Sequence, residues 1–488
     1  MNYKMIKYTL GVILLFEAAF FFIPSVAAIC FQEWRVLFSI LISALIAAVV
    51  GIAFIFPRPK TTKLYAREGF VIVALSWIFL SMVGALPFFI SGSMPNYIDA
   101  LFEVVSGFTT TGATTLADVT VLPRSLLLWR SFTNWIGGMG VLVFIMAILP
   151  LSGAQNMHIM RAESPGPSVS KLVPRVKKTA LILYSIYVAL TLAQFILLLP
   201  SVGFFEALTT ALSTAGTGGF SINPDSLISS STYAQIVCTV FMLLFSINFN
   251  SYYLLLRRKP KDAFNTEVKV FLAVVVLSIA VISANVFMTS SVGGDSIGSS
   301  IKHAAFSVAT VVSTCGFASV DFNLWPALSK TILVLLMFMG GCAGSTCGGI
   351  KVSRIVIIFK TMTKEILALI HPKQVKKITV DKHPVENEVV RSVTCFLAAY
   401  AMLFIISLLL LSCDSYTVAP GSNALVTNVT ALISAINNIG PGLDMVGPVG
   451  NFGFFSPLSK MVLILDMLAG RLEIFPLLLL FSRETWKK

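Results

Sequence analysis

Charged residues are scarce in this chain. Only 12% of its 488 residues are charged, 56% are hydrophobic, and the mean hydropathy is +0.88. Soluble globular domains contain roughly 25% charged and 45–50% apolar residues. The composition therefore excludes an ordinary soluble protein and indicates an integral membrane protein.

Motifs for metal binding and catalysis are also scarce. The seven cysteines include no CxxC pair, so neither a disulfide framework nor a zinc site is expected. The sequence has no HExxH motif and no paired catalytic groups within a predicted span, which argues against an intramembrane enzyme. Gly344 and Gly349 are spaced as in a P-loop, but Ile350 separates Gly349 from Lys351, so we do not expect ATP binding.

Long apolar runs dominate what is present. A membrane helix needs about 20 apolar residues. The candidates are approximately residues 8–30, 35–56, 69–91, 125–150, 178–202, 233–256, 268–290, 329–360, 391–413 and 457–482. The first follows two lysines as a signal peptide would, but its length favours a retained span.

Basic residues predict the orientation of these spans. Lys and Arg exceed Asp and Glu by 35 to 22 and cluster at 58–67, 161–178, 257–269, 364–391 and 483–488, on every second loop. Because cytoplasmic loops collect basic residues, both termini are predicted to be cytoplasmic. Charges placed in short blocks between spans predict membrane lipid, and not nucleic acid, as the neighbour of the chain.

An internal repeat lies on the opposite side of the predicted membrane. Four times, an apolar stretch of about 10–14 residues, too short to cross, precedes a polar turn that contains glycine. The four turns are Ser106–Thr114, Ser213–Ser221, Thr310–Ala318 and Ser434–Gly442, and they align without a gap on Gly112, Gly219, Gly316 and Gly440. Ser or Thr stands six residues before each of these glycines, and Thr or Asn stands two before.

This repeat divides the chain into a two-helix preamble and four similar units. The predicted boundaries are 1–60 for the preamble, then 61–160, 161–260, 261–375 and 376–488 for the four pore repeats, with a broken second helix in the third. The fold class is therefore all-α integral membrane, with each repeat built as helix, re-entrant pore half-helix and helix around a pseudo-fourfold axis.

The turns predict an ion pathway. Non-helical backbone at membrane depth persists only where it is buried in protein or lines a water-filled path, and rings of carbonyls replace the hydration shell of a cation. The predicted ligands are the backbone carbonyls of Thr110, Thr111, Gly112, Thr217, Gly218, Gly219, Thr314, Cys315, Gly316, Asn438, Ile439 and Gly440. An acid follows each turn, at Asp118, Asp225, Asp321 and Asp444, and these acids predict a negative vestibule. Glu103 and Glu206 are interpreted as caps that open the first two half-helices.

These residues resemble the Trk/Ktr/HKT superfamily of cation transporters over nearly the whole chain. The turns are similar to its filter sequences, Asn437–Gly442 most specifically, and further signatures are Trp129–Gly140, Gly341–Lys351 and Gly470–Glu473. The two leading spans resemble the TrkH branch more than the shorter KtrB branch. The resemblance implies potassium uptake through a monomer-enclosed pore, homodimers in a bacterial inner membrane, and a cytoplasmic TrkA-like nucleotide-binding regulatory subunit. The chain itself is expected to hold no cofactor, and potassium is its substrate.

Two intramembrane features are candidates for gating. Five glycines interrupt the eighth span, which favours an unwound segment, although glycines also permit close helix packing. Through the resemblance, its residues Gly341, Gly344, Ser345, Thr346, Gly348, Gly349 and Lys351 are predicted to obstruct the pore. Arg471 lies in the tenth span, where a cation requires a partner or water. The open readings are an ion pair with another helix and a charge in the pore that repels cations.

The rival functions are a sodium-permeable or ion-coupled carrier, an intramembrane enzyme, and a sensor that binds ions without conducting them. The basic segment near 360–391 faces either the partner or anionic lipid, and the sequence leaves both open.

Overall fold

The structure is a computed structural model that describes residues 1–56, 58–59, 65–140, 176–371, 377–381, 383–414 and 416–487. Within this part of the chain, helices predominate and the one sheet is a two-stranded ribbon of β1 (Thr379–Val380) and β2 (His383–Pro384). The predicted all-α architecture is therefore present. The predicted repeat boundaries at 60/61, 160/161 and 375/376 lie outside the described residues, as do residues 141–150 of the fourth predicted span.

The preamble consists of three helices, α1 (Tyr3–Phe20), α2 (Phe22–Cys30) and α3 (Trp34–Ile55). The first repeat contains α4 (Ala66–Gly84), α5 (Leu86–Ile90), α6 (Tyr97–Phe108) and α7 (Arg124–Met139). The second contains α8 (Val176–Val202), α9 (Phe204–Gly216), α10 (Thr232–Ser246), α11 (Phe249–Leu256) and α12 (Pro260–Ala263).

The third repeat contains α13 (Thr266–Met288), α14 (Ile297–Val312), α15 (Ala327–Phe338) and α16 (Val352–Ile370). The fourth contains α17 (Asn387–Ser412), α18 (Ala424–Asn437), α19 (Pro457–Arg471), α20 (Phe475–Phe481) and α21 (Arg483–Trp486). Short 3₁₀ turns lie at Val119–Val121, Phe322–Leu324 and Asp444–Val446, each between a pore helix and the following helix.

Six helices in the described residues are long and apolar enough to cross a membrane: Tyr3–Cys30, Trp34–Ile55, Arg67–Ile90, Ala180–Val202, Thr266–Met288 and Asn387–Ser412. They coincide with six of the predicted spans. Their outer faces are apolar, since Phe38, Val276 and Leu409 are 64%, 65% and 64% exposed. Such a surface is suited to lipid, because lipid tails are as apolar as these side chains.

The second helix of a repeat is where the sequence-based prediction was incomplete. It placed one break, in the third repeat, whereas α10 and α11 meet at a 90° bend and α19 and α20 are separated by Leu472–Ile474. In the first repeat, α7 ends at Met139 and the described backbone stops at Gly140.

The two ends of the chain lie together. The Tyr3 ring stacks on the Trp486 ring, with centroids 6.4 Å apart and an interplanar angle of 13°. The Tyr3 hydroxyl also donates a hydrogen bond of 3.0 Å to the Trp486 carbonyl oxygen. Both termini are therefore on the same side of the molecule, as an even number of crossings requires.

Candidate functional site

The four pore helices, α6, α9, α14 and α18, all end in the same way. In each, the residue two positions before the aligned glycine has left-handed backbone, with φ of 57° at Thr110, 56° at Thr217, 56° at Thr314 and 55° at Asn438. The amide of the next residue donates to the carbonyl of the Ser or Thr at the start of the turn: Thr111 to Ser106, Gly218 to Ser213, Cys315 to Thr310 and Ile439 to Ser434, at 2.8–3.0 Å. This is a Schellman ending. It explains the four-residue spacing between the Ser or Thr and the left-handed residue, because both positions have a fixed role in the helix end.

The aligned glycines form a closed ring with the carbonyls of neighbouring repeats. Each has positive φ: 80° at Gly112, 63° at Gly219, 93° at Gly316 and 105° at Gly440. A Cβ atom would meet the carbonyl oxygen of Gly218 at Gly112, of Cys315 at Gly219, of Ile439 at Gly316 and of Thr111 at Gly440. Each repeat thus contacts the next, and the fourth contacts the first. We call the segments Thr110–Gly112, Thr217–Gly219, Thr314–Gly316 and Asn438–Gly440 filter turns 1 to 4.

A buried ion pair between α6 and α7 lies next to filter turns 1 and 2. Arg130 on α7 contacts Glu103 on α6, with Nε to Oε1 at 2.7 Å and Nη2 to Oε1 at 2.5 Å, and both side chains are buried. Glu103 was interpreted as a helix cap, but α6 begins at Tyr97 and Asn96 caps it. That interpretation was wrong, because a carboxylate one and a half turns into a helix cannot reach the free amides of the first turn. Arg130 is the sequence feature that could have predicted this pair, since a cation in an apolar segment requires a partner.

A non-helical segment, residues 339–351, passes beneath the filter turns. We call it the gate loop, after the gating role that the sequence predicts for it. It is held to the second repeat by hydrogen bonds from the Cys342 amide to the Ser246 carbonyl, at 2.9 Å, and from the Phe249 amide to the Gly344 carbonyl, at 3.1 Å. It reaches filter turn 3 where the Gly348 amide donates to Thr314 Oγ1 at 2.7 Å.

Other predicted gating residues hold the gate loop in shape. Ser345 Oγ donates to the Cys342 carbonyl at 2.7 Å, and Thr346 Oγ1 donates to the Phe245 carbonyl at 3.3 Å. The Lys351 amino group donates to the carbonyls of Cys347 and Gly348 within the loop. Gly341 accepts a bond from the Val352 amide, and Gly344 and Gly349 have positive φ of 75° and 68°. The structure thus brings all the predicted loop residues into one unwound segment.

Arg471 connects this loop to the first and fourth repeats. Nη1 donates to the Thr346 carbonyl at 2.9 Å and to Thr110 Oγ1 at 3.3 Å. Nη2 donates to the carbonyls of Gly137 and Gly138 at the end of α7. Arg471 therefore has the partners that a cation at membrane depth requires. With the gate loop, it contacts all four repeats directly beneath the filter turns.

The chain matches a known protein family over most of its length. The model of the TrkH family, described as cation transport protein, matches residues 37–488. The chain belongs to the TrkH family of cation transport proteins. It is 34% identical to the Trk system potassium uptake protein TrkH of Salmonella typhimurium over the whole of both chains. It is 36% identical to the protein of that name from Vibrio parahaemolyticus, over 88% of each.

A solved structure of the TrkH family has the same architecture. The crystal structure of the potassium transporter TrkH from Vibrio parahaemolyticus superposes with a TM-score of 0.86, covers all of both chains and is 30% identical. The predicted resemblance to the TrkH branch and the predicted membrane fold are therefore confirmed.

The four acids beyond the filter turns of this TrkH-family chain have local structural roles. Asp118 and Asp321 cap 3₁₀ turns by accepting from the amides of Thr120, at 2.9 Å, and Asn323, at 3.0 Å. The hydroxyl and then the amide of Thr120 lower the pKa of Asp118, so this exposed carboxylate is ionised at neutral pH. The other two accept backbone bonds, Asp225 from Ser229 and Asp444 from Asn423. Their vestibule role remains a prediction.

Glu267, which the sequence did not single out, anchors both ends of the gate loop. It lies in the first turn of α13, and its Oε1 accepts from the Ala343 amide at 2.7 Å and from the Ser353 amide at 3.1 Å. Ala343 is inside the loop, and Ser353 is the second residue of the following helix, α16. One buried carboxylate therefore fixes the loop relative to α13.

Replacing Glu267 by alanine is expected to loosen the gate loop. A hydrogen bond to a charged group contributes about 1.5–3 kcal/mol, and loss of two should raise the reaction rate of the buried thiols of Cys342 and Cys347 with N-ethylmaleimide by roughly tenfold or more. Mass spectrometry of the labelled peptides measures this. The exposed Cys395 and the buried Cys238 serve as internal controls. If each of the four thiols reacts at the same rate in the variant as in the wild type, the anchoring role is contradicted.

The segment before and at the start of α14 contains a motif that is typical of serine hydrolases and therefore bears on the rival enzyme function. Gly294 to Gly298 has the GxSxG spacing around Ser296. In the structure, Ser296 caps α14, its hydroxyl accepting from the Ser299 amide at 3.1 Å. The nearby His303 contacts Ser319 instead, with Nδ1 and Oγ 3.0 Å apart. Ser296 thus has the role of a helix cap, which the local hydrogen bonds explain fully.

Proposed function

We propose that this chain conducts potassium ions into the cell through the ring of filter turns 1 to 4, driven by the membrane potential and the ion gradient. One observation carries the proposal. Each aligned glycine packs against the carbonyl of the residue just before the aligned glycine of the next repeat, and the four contacts form a closed cycle. Backbone carbonyls gathered in this way around one axis are suited to replace the water around a monovalent cation. The curated relatives are named as potassium uptake proteins.

We further propose that the gate loop and Arg471 hold the path closed in the arrangement described. Support comes from their contacts with Thr110 and Thr314, which belong to the filter turns themselves. A cation passing the filter would meet the Arg471 guanidinium and the Lys351 ammonium, and like charges at close range repel strongly in a medium of low dielectric. Opening requires the loop and Arg471 to move together.

The gate is proposed to respond to a TrkA-like cytoplasmic regulatory subunit. The gate loop continues directly into α16, a helix of 19 residues, and α16 leads to the basic segment between 371 and 391. A partner that displaced the far end of α16 would move the loop through a rigid lever. Residues 372–376 of this segment lie outside the described part of the chain.

Assembly and location are proposed on the same basis. Both termini, which lie together, are proposed to be cytoplasmic, and the distribution of Lys and Arg supports this orientation. The protein is proposed to form homodimers in a bacterial inner membrane, with the apolar outer helix faces in contact with lipid or with the second copy. No cofactor is proposed for this chain.

Potassium and sodium flux into proteoliposomes tests the proposal. Purified chain is reconstituted, an inside-negative potential is imposed, and uptake of each ion is compared with that of protein-free liposomes. Potassium entry well above sodium entry is expected. Equal entry of both ions would favour the sodium-permeable alternative, and entry of neither ion, in the wild type and in Arg471→Ala alike, would contradict permeation.

A further inference from the structure

The Glu103–Arg130 ion pair contacts the segments that directly follow two different filter turns. On the side of turn 1, Glu103 Oε2 accepts from Thr114 Oγ1 at 3.1 Å and from the Thr115 amide at 3.3 Å. On the side of turn 2, Arg130 Nη1 donates to the Ser221 carbonyl at 3.3 Å. The pair therefore connects the backbone just beyond Gly112 with the backbone just beyond Gly219.

An aromatic contact strengthens the connection to turn 2. The Arg130 guanidinium carbon lies 4.1 Å from the centroid of the Phe220 ring, and Phe220 directly follows Gly219. Phe220 and Arg130 are 2% and 3% exposed, so this cation–π contact is shielded from water. Desolvated contacts of this kind are the stronger ones.

The ion pair is specific to one junction of the ring. In the gapless register of the filter turns, the position of Glu103 is occupied by Thr210, Ser307 and Ala431 in the other repeats. None of these side chains carries charge. A buried ion pair is costly to desolvate and is retained where its directional bonds fix a geometry. Asp99 of the same pore helix pairs with Lys460 of the fourth repeat, but among the four aligned positions only that of Glu103 holds a buried ion pair, which points to a requirement at the junction of turns 1 and 2.

We propose that Arg130 and Glu103 are positioning residues that set the spacing of filter turns 1 and 2 and thereby the discrimination of potassium from sodium. This inference rests on the proposed function. Gly112 packs directly against the Gly218 carbonyl at this junction, so a change in spacing moves a carbonyl of the ring. Selectivity depends on the number, position and field of those carbonyls.

Arg130→Lys isolates the positioning role. Lysine keeps the positive charge beside Glu103 but lacks the planar fork that reaches the Ser221 carbonyl and stacks on Phe220. The potassium-to-sodium permeability ratio, taken from reversal potentials in planar bilayers, is expected to fall by about fivefold or more while cation current persists. Phe220→Leu removes the ring but keeps an apolar side chain, and it is expected to lower the ratio in the same direction.

A matched control lies on the same helix. Arg124 begins α7, is exposed, and places its guanidinium 5.0 Å from the Phe31 ring, away from the filter turns. Arg124→Lys is the same substitution at another arginine–aromatic contact, and it should leave the ratio unchanged. Elution on size-exclusion chromatography establishes that each variant is folded.

Three outcomes distinguish failure of the positioning role from failure of the proposed function. A lower ratio in Arg130→Lys and Phe220→Leu, but not in Arg124→Lys, supports the positioning role. If the wild type is selective but the permeability ratio is the same in Phe220→Leu and in any folded Arg130→Lys, the positioning role is overturned. The proposed function is then left intact. A wild type that conducts without selectivity overturns the proposed function itself, and with it the positioning role.

Discussion

Replacement of Arg471 by alanine is expected to raise potassium flux through the reconstituted protein tenfold or more. The substitution removes the bonds to Thr346, Gly137 and Gly138, which we propose close the space beneath the filter. It also removes a unit charge from the path, and a like charge 4 Å away opposes a cation by about 4 kcal/mol at an effective dielectric of 20. Single-channel recording, or tracer uptake per reconstituted protein, measures the change.

Arg471→Lys separates charge from hydrogen bonding. Lysine keeps the positive charge but cannot span the carbonyls of Gly137, Gly138 and Thr346 together. Flux near the wild-type value in the lysine variant and high flux in the alanine variant would assign the barrier to charge. High flux in both would assign it to the bridge between the gate loop and α7. Wild-type flux in the alanine variant would contradict any role of Arg471 in closing the path.

Replacement of Gly112 by serine is expected to lower the potassium-to-sodium permeability ratio about tenfold, which corresponds to ~1.4 kcal/mol. A side chain at φ of 80° is strained, and its Cβ would overlap the Gly218 carbonyl oxygen. That carbonyl must move, and with it one member of the ring. Reversal potentials in mixed potassium and sodium solutions measure the ratio.

Gly421→Ser provides the matched control. Gly421 has a similar φ of 86°, but a Cβ there would meet no atom within 4 Å. The two variants therefore share backbone strain and differ in the contact with a carbonyl. An unchanged ratio in Gly421→Ser and a lowered one in Gly112→Ser would attribute selectivity to the ring. An unchanged ratio in both would count against carbonyl ligation at filter turn 1.

Much of the architecture could be predicted because it depends on local chemistry. Runs of about 20 apolar residues identify six helices that the structure confirms as long enough to cross a membrane. The spacing of Ser106, Thr110 and Gly112, repeated four times, is explained by one helix-ending motif in which every position has a fixed backbone role. Patterns of this kind are visible in a sequence because the interacting groups are only a few residues apart.

The breaks in the second helices were harder to predict. Gly340 to Gly349 reveal the gate loop through composition, but Ile247 and Asn248 break the second repeat without glycine or proline. The backbone groups on either side of this break, the Ser246 carbonyl and the Phe249 amide, bond to Cys342 and Gly344, about 95 residues further along the chain. Such a break is stable only once the gate loop is in place, so its cause is tertiary.

The sequence by itself determined the membrane environment, the fourfold repeat and the positions of the four polar turns, since these follow from hydropathy and from contacts within single turns. Tertiary structure alone decided how charged groups are used. Glu103 pairs with Arg130 across 27 residues, and Glu267 reaches Ala343 across 76. A buried charge must find a partner, but its place in the sequence does not reveal which element the fold brings beside it.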